Sequence, residues 1–190
     1  MKLYICENIS KLQFGDEKPS RVFARRCIAD YISQNVDDTG IIFTYGSHGK
    51  PFVGSIRIDG ANYERPVFFS LSHSADMLIC AVADTNVGAD CQYHSLDQKR
   101  AEPIAERFYS AEEREYLANF DNDRDFLNAF YHIWTRKEAY IKYTGKGLSE
   151  GLSSFSTIQN NAPVNSIGSA VFVRSEEQYE NYTIAVCVGK

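Results

Sequence analysis

The chain has 190 residues, of which 44% are hydrophobic, 13% aromatic and 24% charged. This composition supports a packed core and excludes a disordered, collagen-like or mostly coiled-coil chain. Because 20 Lys and Arg residues stand against 25 Asp and Glu residues, the net charge of -5 argues against nonspecific nucleic-acid binding. The length suits one domain or two small ones.

The cysteines and the apolar segments indicate a protein of the reducing cytoplasm. The five cysteines are odd in number and show no Cys-x-x-Cys spacing, so a disulfide framework or a zinc site is not indicated. The apolar run at residues 3–6 stops at Glu7, too early for a signal peptide. No run reaches the roughly 18 apolar residues of a membrane span. We therefore expect a cytoplasmic protein without a membrane partner.

The first half of the chain is predicted to combine one helix with several strands. The helix covers residues 18–34, and Pro19 suits its first turn. One face of it repeats every four residues at Phe23, Cys27 and Tyr31. Strands are predicted at residues 2–7, 41–45, 52–58, 67–72, 77–83 and 86–90. The last two are expected to form a hairpin, since only a short link separates them.

The second half is predicted to be mainly helical before it returns to strand. Helices are expected at residues 96–108 and 123–143, and an apolar strand at residues 183–188. Pro103 interrupts the first of these helices, and Gly145 would terminate the second. Between these two helices, Ser110 and Glu113 form a capping box that predicts the start of another helix. Strand-rich and helix-rich stretches thus occur twice, which predicts an α+β fold with two comparable halves.

The predicted helix at residues 123–143 carries the most informative polar residues. Trp134, Glu138 and Lys142 are spaced by four and share one face, with Lys137 beside them. A solvated ion pair next to a core tryptophan is the simpler interpretation of this spacing. The run from Lys142 to Leu148 follows at once, and its two glycines flanked by cations suit close approach to a phosphorylated ligand.

A second polar segment ends a predicted strand at residues 70–74. Its hydroxyls and imidazole, at Ser72 and His73, are able to bind phosphate oxygens. A Ser-His hydrolase is disfavoured, because neighbours on a strand point to opposite faces and no Gly-x-Ser-x-Gly motif is present. A polar turn between strands remains the alternative.

A third segment, residues 88–92, follows an apolar strand. Asp90 and Gln92 point to the same side, and two oxygen ligands on one face are able to hold Mg²⁺. A capping or turn role for Asp90 is the alternative. Lys18 and Arg21 belong to a small basic cluster with Arg25 and Arg26, which a solvated helix face would also explain.

The order of these segments resembles the Sfp-type 4'-phosphopantetheinyl transferases. The motifs are Gly49-Lys50-Pro51, Ser70-Leu71-Ser72-His73-Ser74, Gly88-x-Asp90, Arg107-Phe108-Tyr109-Ser110-x-x-Glu113 and Trp134-x-x-Lys137-Glu138-Ala139-x-x-Lys142-x-x-Gly145-x-Gly147-Leu148. Each motif is weak alone, but their order over about residues 18 to 156 is specific. The resemblance implies two similar halves, residues 1–86 and 87–190, related by a pseudo-twofold axis with the active site at their interface.

The resemblance also implies an activity. Members of the family transfer the 4'-phosphopantetheine arm of coenzyme A to a serine of an apo acyl, peptidyl or aryl carrier protein. They release 3',5'-ADP and require Mg²⁺. The expected partners are therefore coenzyme A and a carrier protein of fatty-acid, polyketide or nonribosomal-peptide synthesis, which the sequence does not choose between, and the chain is expected to act as a monomer.

The motifs carry site roles onto particular positions. Asp90 and Glu138 would bind Mg²⁺, with Glu138 also acting as base for the incoming serine, and Lys142 would contact the pyrophosphate. The remaining residues would bind coenzyme A: Lys137, Ser72 and His73 at its phosphates, Lys50 and Pro51 along the nucleotide pocket, and Lys18 or Arg21 at the 3'-phosphate.

One position departs from the commoner family pattern. Many members have Asp-x-Glu after the glycine, whereas the second acid is Gln92 here. Two carboxylates plus a water held by Gln92 are therefore the expected metal ligands. A relative that binds coenzyme A or a carrier protein without turnover is the alternative function. An unrelated Mg²⁺-dependent nucleotide enzyme lacks support, because no P-loop motif is present.

Overall fold

Helices and antiparallel strands make up the described part of the chain, which confirms the predicted mixture. The computed structural model describes residues 1–11, 17–33, 40–46, 49–147, 151–173, 179 and 181–190. The helices there are α1 (Pro19–Tyr31), α2 (Gln98–Phe108), α3 (Ala111–Leu117) and α4 (Asp123–Thr144). The strands are β1 (Lys2–Glu7), β2 (Ile41–Tyr45), β3 (Pro51–Ile58), β4 (Ala61–Asn62), β5 (Phe68–Ser74), β6 (Met77–Ala83), β7 (Val87–Tyr93), β8 (Ile158–Gln159), β9 (Ala162–Pro163), β10 (Ser166–Ile167), β11 (Ala170–Val173) and β12 (Tyr182–Gly189). No helix within these ranges is long and apolar enough to cross a bilayer.

The strands form separate antiparallel sheets. One has the order β1-β6-β5 and another the order β10-β11-β12-β7, with smaller sheets of β2-β3-β4 and β8-β9. The predicted hairpin between β6 and β7 is wrong, because β6 pairs with β1 and β5 while β7 pairs with β12. Both edges of β6 are occupied, so the chain passes at residues 84–86 from one sheet to the other.

Strand β6 lies at the centre of the packing, and all of its residues are buried. One face of it, with Cys80 and Val82, belongs to the same core cluster as Cys27 and Ile28 of α1. Its opposite face packs against β7 in a cluster that contains Ile79, Ala81, Val87 and Ala89. The two larger sheets therefore face each other, with α1 outside the first and α4 packed on the far face of β7.

Two helices are shorter than their sequence predictions. The helix expected at residues 18–34 is observed as Pro19–Tyr31, and Gln34 lies outside the described residues. α2 begins at Gln98 instead of residue 96, because the Asp97 side chain accepts a hydrogen bond from the Arg100 N–H and caps the helix.

The predicted helix ends of α3 and α4 are confirmed. The Ser110 hydroxyl accepts from the Glu113 N–H, and the Glu113 carboxylate accepts from the Ser110 N–H, which completes the capping box. α4 ends at Gly145, whose backbone is left-handed with φ 71°. These local signals therefore fix where the helices that carry the polar motifs begin and end.

Candidate active site

The charged site residues meet because β7 and α4 approach each other closely. A Cβ atom on Gly88 would lie 2.0 Å from the Ala139 carbonyl oxygen and 2.4 Å from the Tyr143 nitrogen. Only glycine fits between the strand and the helix at this distance. Asp90 follows two residues later on the same side of β7, and therefore faces the same helix.

Asp90 is the centre of the charge cluster. Its side chain accepts two hydrogen bonds at Oδ1, from the Ser72 hydroxyl at 2.7 Å and the Lys142 ammonium at 2.6 Å. Lys142 also donates to the Ser72 hydroxyl at 2.9 Å. The second oxygen, Oδ2, is buried and has no hydrogen-bond partner within the described residues. A buried carboxylate oxygen without a donor is unfavourable unless a cation is close to it.

Glu138 lies one helical turn before Lys142 and adds a second carboxylate. Burial raises the pKa of Glu138, the nearby charge of Asp90 raises this pKa further, and Lys142 opposes both effects. The two carboxylates are thus close enough to repel each other. Asp90 and Glu138 would hold a divalent cation, whose charge would relieve that repulsion.

The acids of the site fit Mg²⁺ with few protein ligands. The described residues contain no group of three or more His, Cys, Asp or Glu side chains arranged to hold a metal ion. Mg²⁺ often binds one or two carboxylates and completes its shell with water and substrate phosphate. Gln92 is partly exposed, two residues after Asp90 on β7, and its contact with a metal-bound water stays a prediction.

Serines of β5 hold the free edge of β7. The Ser70 hydroxyl accepts from the Ala89 N–H at 3.0 Å, and the Ser74 hydroxyl accepts from the Tyr93 N–H at 2.9 Å. Ser72, between them, donates to Asp90 instead. These alternate side chains satisfy backbone donors that β12 does not pair, and they fix β7 against the first sheet.

Ser72 contacts the acid in this structure, and its predicted contact with a coenzyme A phosphate stays a prediction. Its side chain is buried at 7% exposure and is directed at Asp90 and Lys142, so it supports the acid. His73 is exposed on the other side of β5. The side chains of Ser72 and His73 point to opposite faces of β5, because they are neighbours on a strand. Phosphate binding by His73 stays a prediction.

A cavity of about 190 Å³ lies between α1 and the strands β2, β3 and β5. Lys18, Arg21 and Pro51, three residues predicted to bind the nucleotide, line it together. Its walls also include the rings of Phe43 and Tyr45. Cations beside aromatic rings suit a base with a nearby phosphate.

Lys50 is not among the residues that line this cavity, and its predicted place in the nucleotide pocket stays a prediction. Its ammonium donates to the backbone carbonyl of Lys142 and, at 3.4 Å, to that of Val87. Burial lowers the pKa of Lys50 to about 8. The side chain is therefore directed at the end of α4.

Lys137 is engaged inside the protein, and its predicted phosphate contact stays a prediction. Its side chain has 0% exposure and forms a 2.7 Å ion pair with the equally buried Glu113. It also donates to the carbonyls of Leu152, at 2.7 Å, and Phe155, at 2.6 Å. All three ammonium donors are thus used inside the protein.

Glu113 and Asn86 hold elements of the site in place through contacts that the sequence patterns do not predict. The capping box predicts where Glu113 lies on α3, but not that it also accepts from the backbone and hydroxyl of Thr157. Asn86 donates to the Tyr143 carbonyl at the end of α4. Both contacts join residues far apart in sequence, so no local pattern indicates them.

Comparisons with known proteins agree with these features. Residues 86–187 match the family model described as the 4'-phosphopantetheinyl transferase superfamily. The chain is 44% identical over 117 residues to 4'-phosphopantetheinyl transferase psf-1 of Bacillus pumilus, a match that covers 60% of this chain and 44% of that protein. It is 32% identical over 161 residues to a 4'-phosphopantetheinyl transferase of Bacillus subtilis, covering 80% of this chain and 65% of that protein.

A further relative is matched over most of its length. The chain is 29% identical over 195 residues to 4'-phosphopantetheinyl transferase Sfp of Bacillus subtilis strain 168, which covers 98% of this chain and 77% of that protein. The chain therefore spans between about half and three quarters of the length of these curated relatives.

Proposed function

The chain belongs to the 4'-phosphopantetheinyl transferase superfamily, and on this premise we propose that it transfers the phosphopantetheine group of coenzyme A to a serine of an apo carrier protein. The observation that best supports this proposal is the buried, unpaired Oδ2 of Asp90, with the Glu138 carboxylate nearby as a second acid. The relatives' names support the class of reaction.

Asp90 and Glu138 are the residues that would hold Mg²⁺, with Gln92 binding one of its waters. When bound, the ion would neutralise negative charge on the pyrophosphate of coenzyme A. Lys142 holds Asp90 at 2.6 Å and is 29% exposed, so its ammonium is also available to a leaving group that gains negative charge. The two carboxylates would thus hold the cation, and the lysine would face the negative charge that develops on the leaving group.

Glu138 is the residue we assign as general base. The carrier serine hydroxyl attacks the phosphorus that bears the pantetheine arm, and its proton passes to the Glu138 carboxylate directly or through water. A new oxygen–phosphorus bond forms while the bond to 3',5'-ADP breaks, and the ADP leaves with the electron pair. A carboxylate within reach of the serine hydroxyl is a suitable group for accepting this proton.

The nucleotide of coenzyme A is proposed to occupy the cavity lined by Lys18, Arg21 and Pro51. Either cation would bind the 3'-phosphate, and His73 would contact a phosphate from the exposed side of β5. Arg21 is already held by a 2.8 Å hydrogen bond to the Tyr45 hydroxyl. That contact leaves other guanidinium donors for a ligand.

Residues 1–86 and 87–190 are proposed to be the two halves of the family's pseudo-twofold fold. The cavity belongs to the first half, whereas both carboxylates and Lys142 belong to the second. The hydrogen bond from Ser72 to Asp90 crosses between them, which supports an active site at the interface. We also propose that the chain is a cytoplasmic monomer, and its five free cysteines suit a reducing compartment. We propose no nucleic-acid partner, because the net charge is -5.

Mass spectrometry of a carrier protein tests this function. Acyl, peptidyl and aryl carriers in their apo form are each incubated with the chain, coenzyme A and Mg²⁺. We expect at least one carrier to gain the mass of one phosphopantetheine group, and omission of coenzyme A or Mg²⁺ to abolish the gain. Unchanged carriers, with coenzyme A still bound by the chain in a titration, would instead favour a binding protein without turnover.

A further inference from the structure

Two arginines of α1 connect this helix to β2, and both elements line the cavity. Arg25 donates from Nε to the Ile41 carbonyl at the start of β2, at 3.4 Å. Arg21 lies one turn earlier and donates from Nη2 to the Tyr45 hydroxyl at the end of β2, at 2.8 Å. Arg21 and Tyr45 line the cavity, whereas Arg25 is not among its lining residues. The bond between Arg21 and Tyr45 therefore joins two walls of the cavity.

Glu17 distinguishes the two arginines further. Its carboxylate forms a 2.7 Å ion pair with Nη1 of Arg25, whose side chain is only 16% exposed. The distance from Glu17 to Nη1 of Arg21 is 3.9 Å, too long for a hydrogen bond, and the Arg21 side chain is 41% exposed. The charge of Arg25 is thus used within the protein, while the guanidinium of Arg21 is accessible to a ligand.

The packing of β2 holds Tyr45 on its side of the cavity. Phe43, two residues earlier, points to the same side of the strand, and its ring centroid lies 5.0 Å from that of Phe69 on β5. All three rings line the cavity. Tyr45 is 57% exposed, so its contact with Arg21 lies on the solvent side. A long exposed arginine has many rotamers, and a fixed partner lowers the entropy that a ligand must overcome to use it.

We propose that Tyr45 is a positioning residue that makes the cavity select a nucleotide with an additional phosphate on its ribose, an inference that rests on the proposed function. Its hydroxyl holds one nitrogen of the planar Arg21 guanidinium and leaves the remaining N–H donors for that phosphate. Tyr45 acts through Arg21 and adds no charge of its own. A nucleotide without the phosphate gains nothing from this arrangement.

Binding of two nucleotides to the free chain measures the selection. Adenosine 3',5'-bisphosphate carries the additional phosphate, and adenosine 5'-monophosphate lacks it. We expect wild type to bind the bisphosphate at least about tenfold more tightly, the effect of one charge-assisted hydrogen bond. Tyr45→Phe keeps the ring and should bind the bisphosphate about fivefold more weakly, because the guanidinium loses its fixed partner. Its affinity for the monophosphate, also measured by isothermal titration, should change less than about twofold.

A matched control and a double variant separate positioning from a general effect on the fold. Tyr31→Phe also removes a hydrogen-bonded phenol hydroxyl, which donates to Asp84 at 3.0 Å at the other end of α1, and should bind both nucleotides as wild type does. In an Arg21→Met background, Tyr45→Phe should have no further effect on bisphosphate binding, because it acts through Arg21.

Transfer kinetics give a second readout of the same selection. Tyr45→Phe should raise the KM for coenzyme A about fivefold and leave kcat unchanged, since the lost interaction stabilises ground state and transition state equally. With dephospho-coenzyme A, which lacks the ribose phosphate, the KM of the variant should equal that of wild type. A fall in kcat with both substrates would contradict the inference.

Several binding results would overturn it. Equal weakening of both nucleotides in Tyr45→Phe would show that the hydroxyl serves the rest of the nucleotide, and tighter bisphosphate binding would show that it competes with the phosphate for Arg21. Should Tyr45→Phe not fold, Arg21→Lys, which keeps the charge without the planar fork, is expected to lose most of the preference. A wild-type preference in that variant would contradict a role for the held guanidinium.

The outcome for the proposed function is separate. A wild type that modifies carriers without preferring the bisphosphate would refute this inference and leave transfer intact. A wild type that modifies no carrier, but prefers the bisphosphate and loses the preference in Tyr45→Phe, would refute transfer and support the role of Tyr45.

Discussion

The two oxygens of the Asp90 carboxylate have different environments, and this difference organises the site. Oδ1 is held by Ser72 and Lys142, whereas Oδ2 is buried without a partner among the described residues. One oxygen thus fixes the side chain and the other stays free for a cation. The neighbouring Gln92 brings an amide oxygen but no charge.

Substitutions at these two positions should change Mg²⁺ affinity in opposite directions. Gln92→Glu adds a negative charge beside the predicted ion and should tighten Mg²⁺ binding to the free chain, whereas Asp90→Asn should weaken it. Gln92→Ala should be milder than Asp90→Asn. Isothermal titration of Mg²⁺ into each variant, with and without coenzyme A, measures this. Unchanged affinity in Gln92→Glu under both conditions would place Gln92 outside the reach of the metal.

Lys50 gives a prediction about stability and pH. Burial lowers its pKa from 10.5 to about 8, so between these values the unfolded chain keeps a proton that the folded chain has released. Stability rises with pH wherever the unfolded state binds more protons. The free energy of unfolding of wild type, relative to Lys50→Met, should therefore increase as the pH rises from about 8 to 10. Urea unfolding of both proteins across this range tests the sign, and a constant difference would show that the pKa is not lowered.

Residue spacing predicted which of the site side chains come together but not how deeply each one is buried. Asp90, Glu138 and Lys142 come together because strand and helix periods place side chains on known faces. Lys137 is adjacent to Glu138, yet its side chain is fully buried and paired with Glu113. Spacing along a helix gives direction but not depth, since depth depends on which other elements cover that face.

At the scale of elements, Gly88 allows β7 and α4 to approach each other. Gly88→Ala would place a Cβ atom 2.0 Å from the Ala139 carbonyl oxygen, and neither backbone can yield without moving Asp90 or Lys142. We expect the free energy of unfolding to fall by about 3 kcal/mol, as in severe overpacking. Transfer activity of the remaining folded protein should fall as well, which urea unfolding and rate measurements together would show.

Gly189 provides a matched control on the neighbouring strand β12. A Cβ atom there would meet its nearest neighbours, atoms of Thr85 and Tyr143, at 3.5 Å, an ordinary contact. Gly189→Ala should therefore change stability by less than about 1 kcal/mol. Equal effects of the two substitutions would show that close packing at Gly88 is not what brings the strand and helix together.

The buried pair of Glu113 and Lys137 joins α3, α4 and the segment around Phe155. Burial lowers the pKa of Lys137, and Glu113 opposes this shift. Lys137→Met leaves the Glu113 charge buried and should lower the free energy of unfolding by about 3–5 kcal/mol. Adding Glu113→Gln should recover part of the loss, because the uncompensated charge is removed. Near-normal stability with a raised KM for coenzyme A would support a phosphate role for Lys137.

Element positions followed from local patterns, but pairing did not. Pro19, the capping box and Gly145 each act within a few residues, so the starts or ends of three helices were predictable. The partners of β6 depend on β1, which lies about 70 residues earlier in the chain. A short link between two strands predicts a hairpin only when one edge of the first strand is free.

At the scale of the whole molecule, the site lies where the two larger sheets meet. Ser70, Ser72 and Ser74 of the first sheet contact β7 of the second. Lys50, which precedes β3 of a smaller sheet, also reaches α4. The acids are therefore held from both sides, and a change in how the sheets pack should alter the site before it unfolds the chain.

Phosphopantetheine transfer by this chain should depend on the Asp90 and Glu138 carboxylates, and the transfer rate of Glu138→Gln measures that dependence. The variant keeps the size of the side chain but removes a metal charge and a base, so the rate should fall by about 10²–10⁴-fold. Glu106→Gln, which changes an exposed glutamate of α2, is the control and should match wild type. A wild-type rate of carrier modification in folded Glu138→Gln would contradict the account.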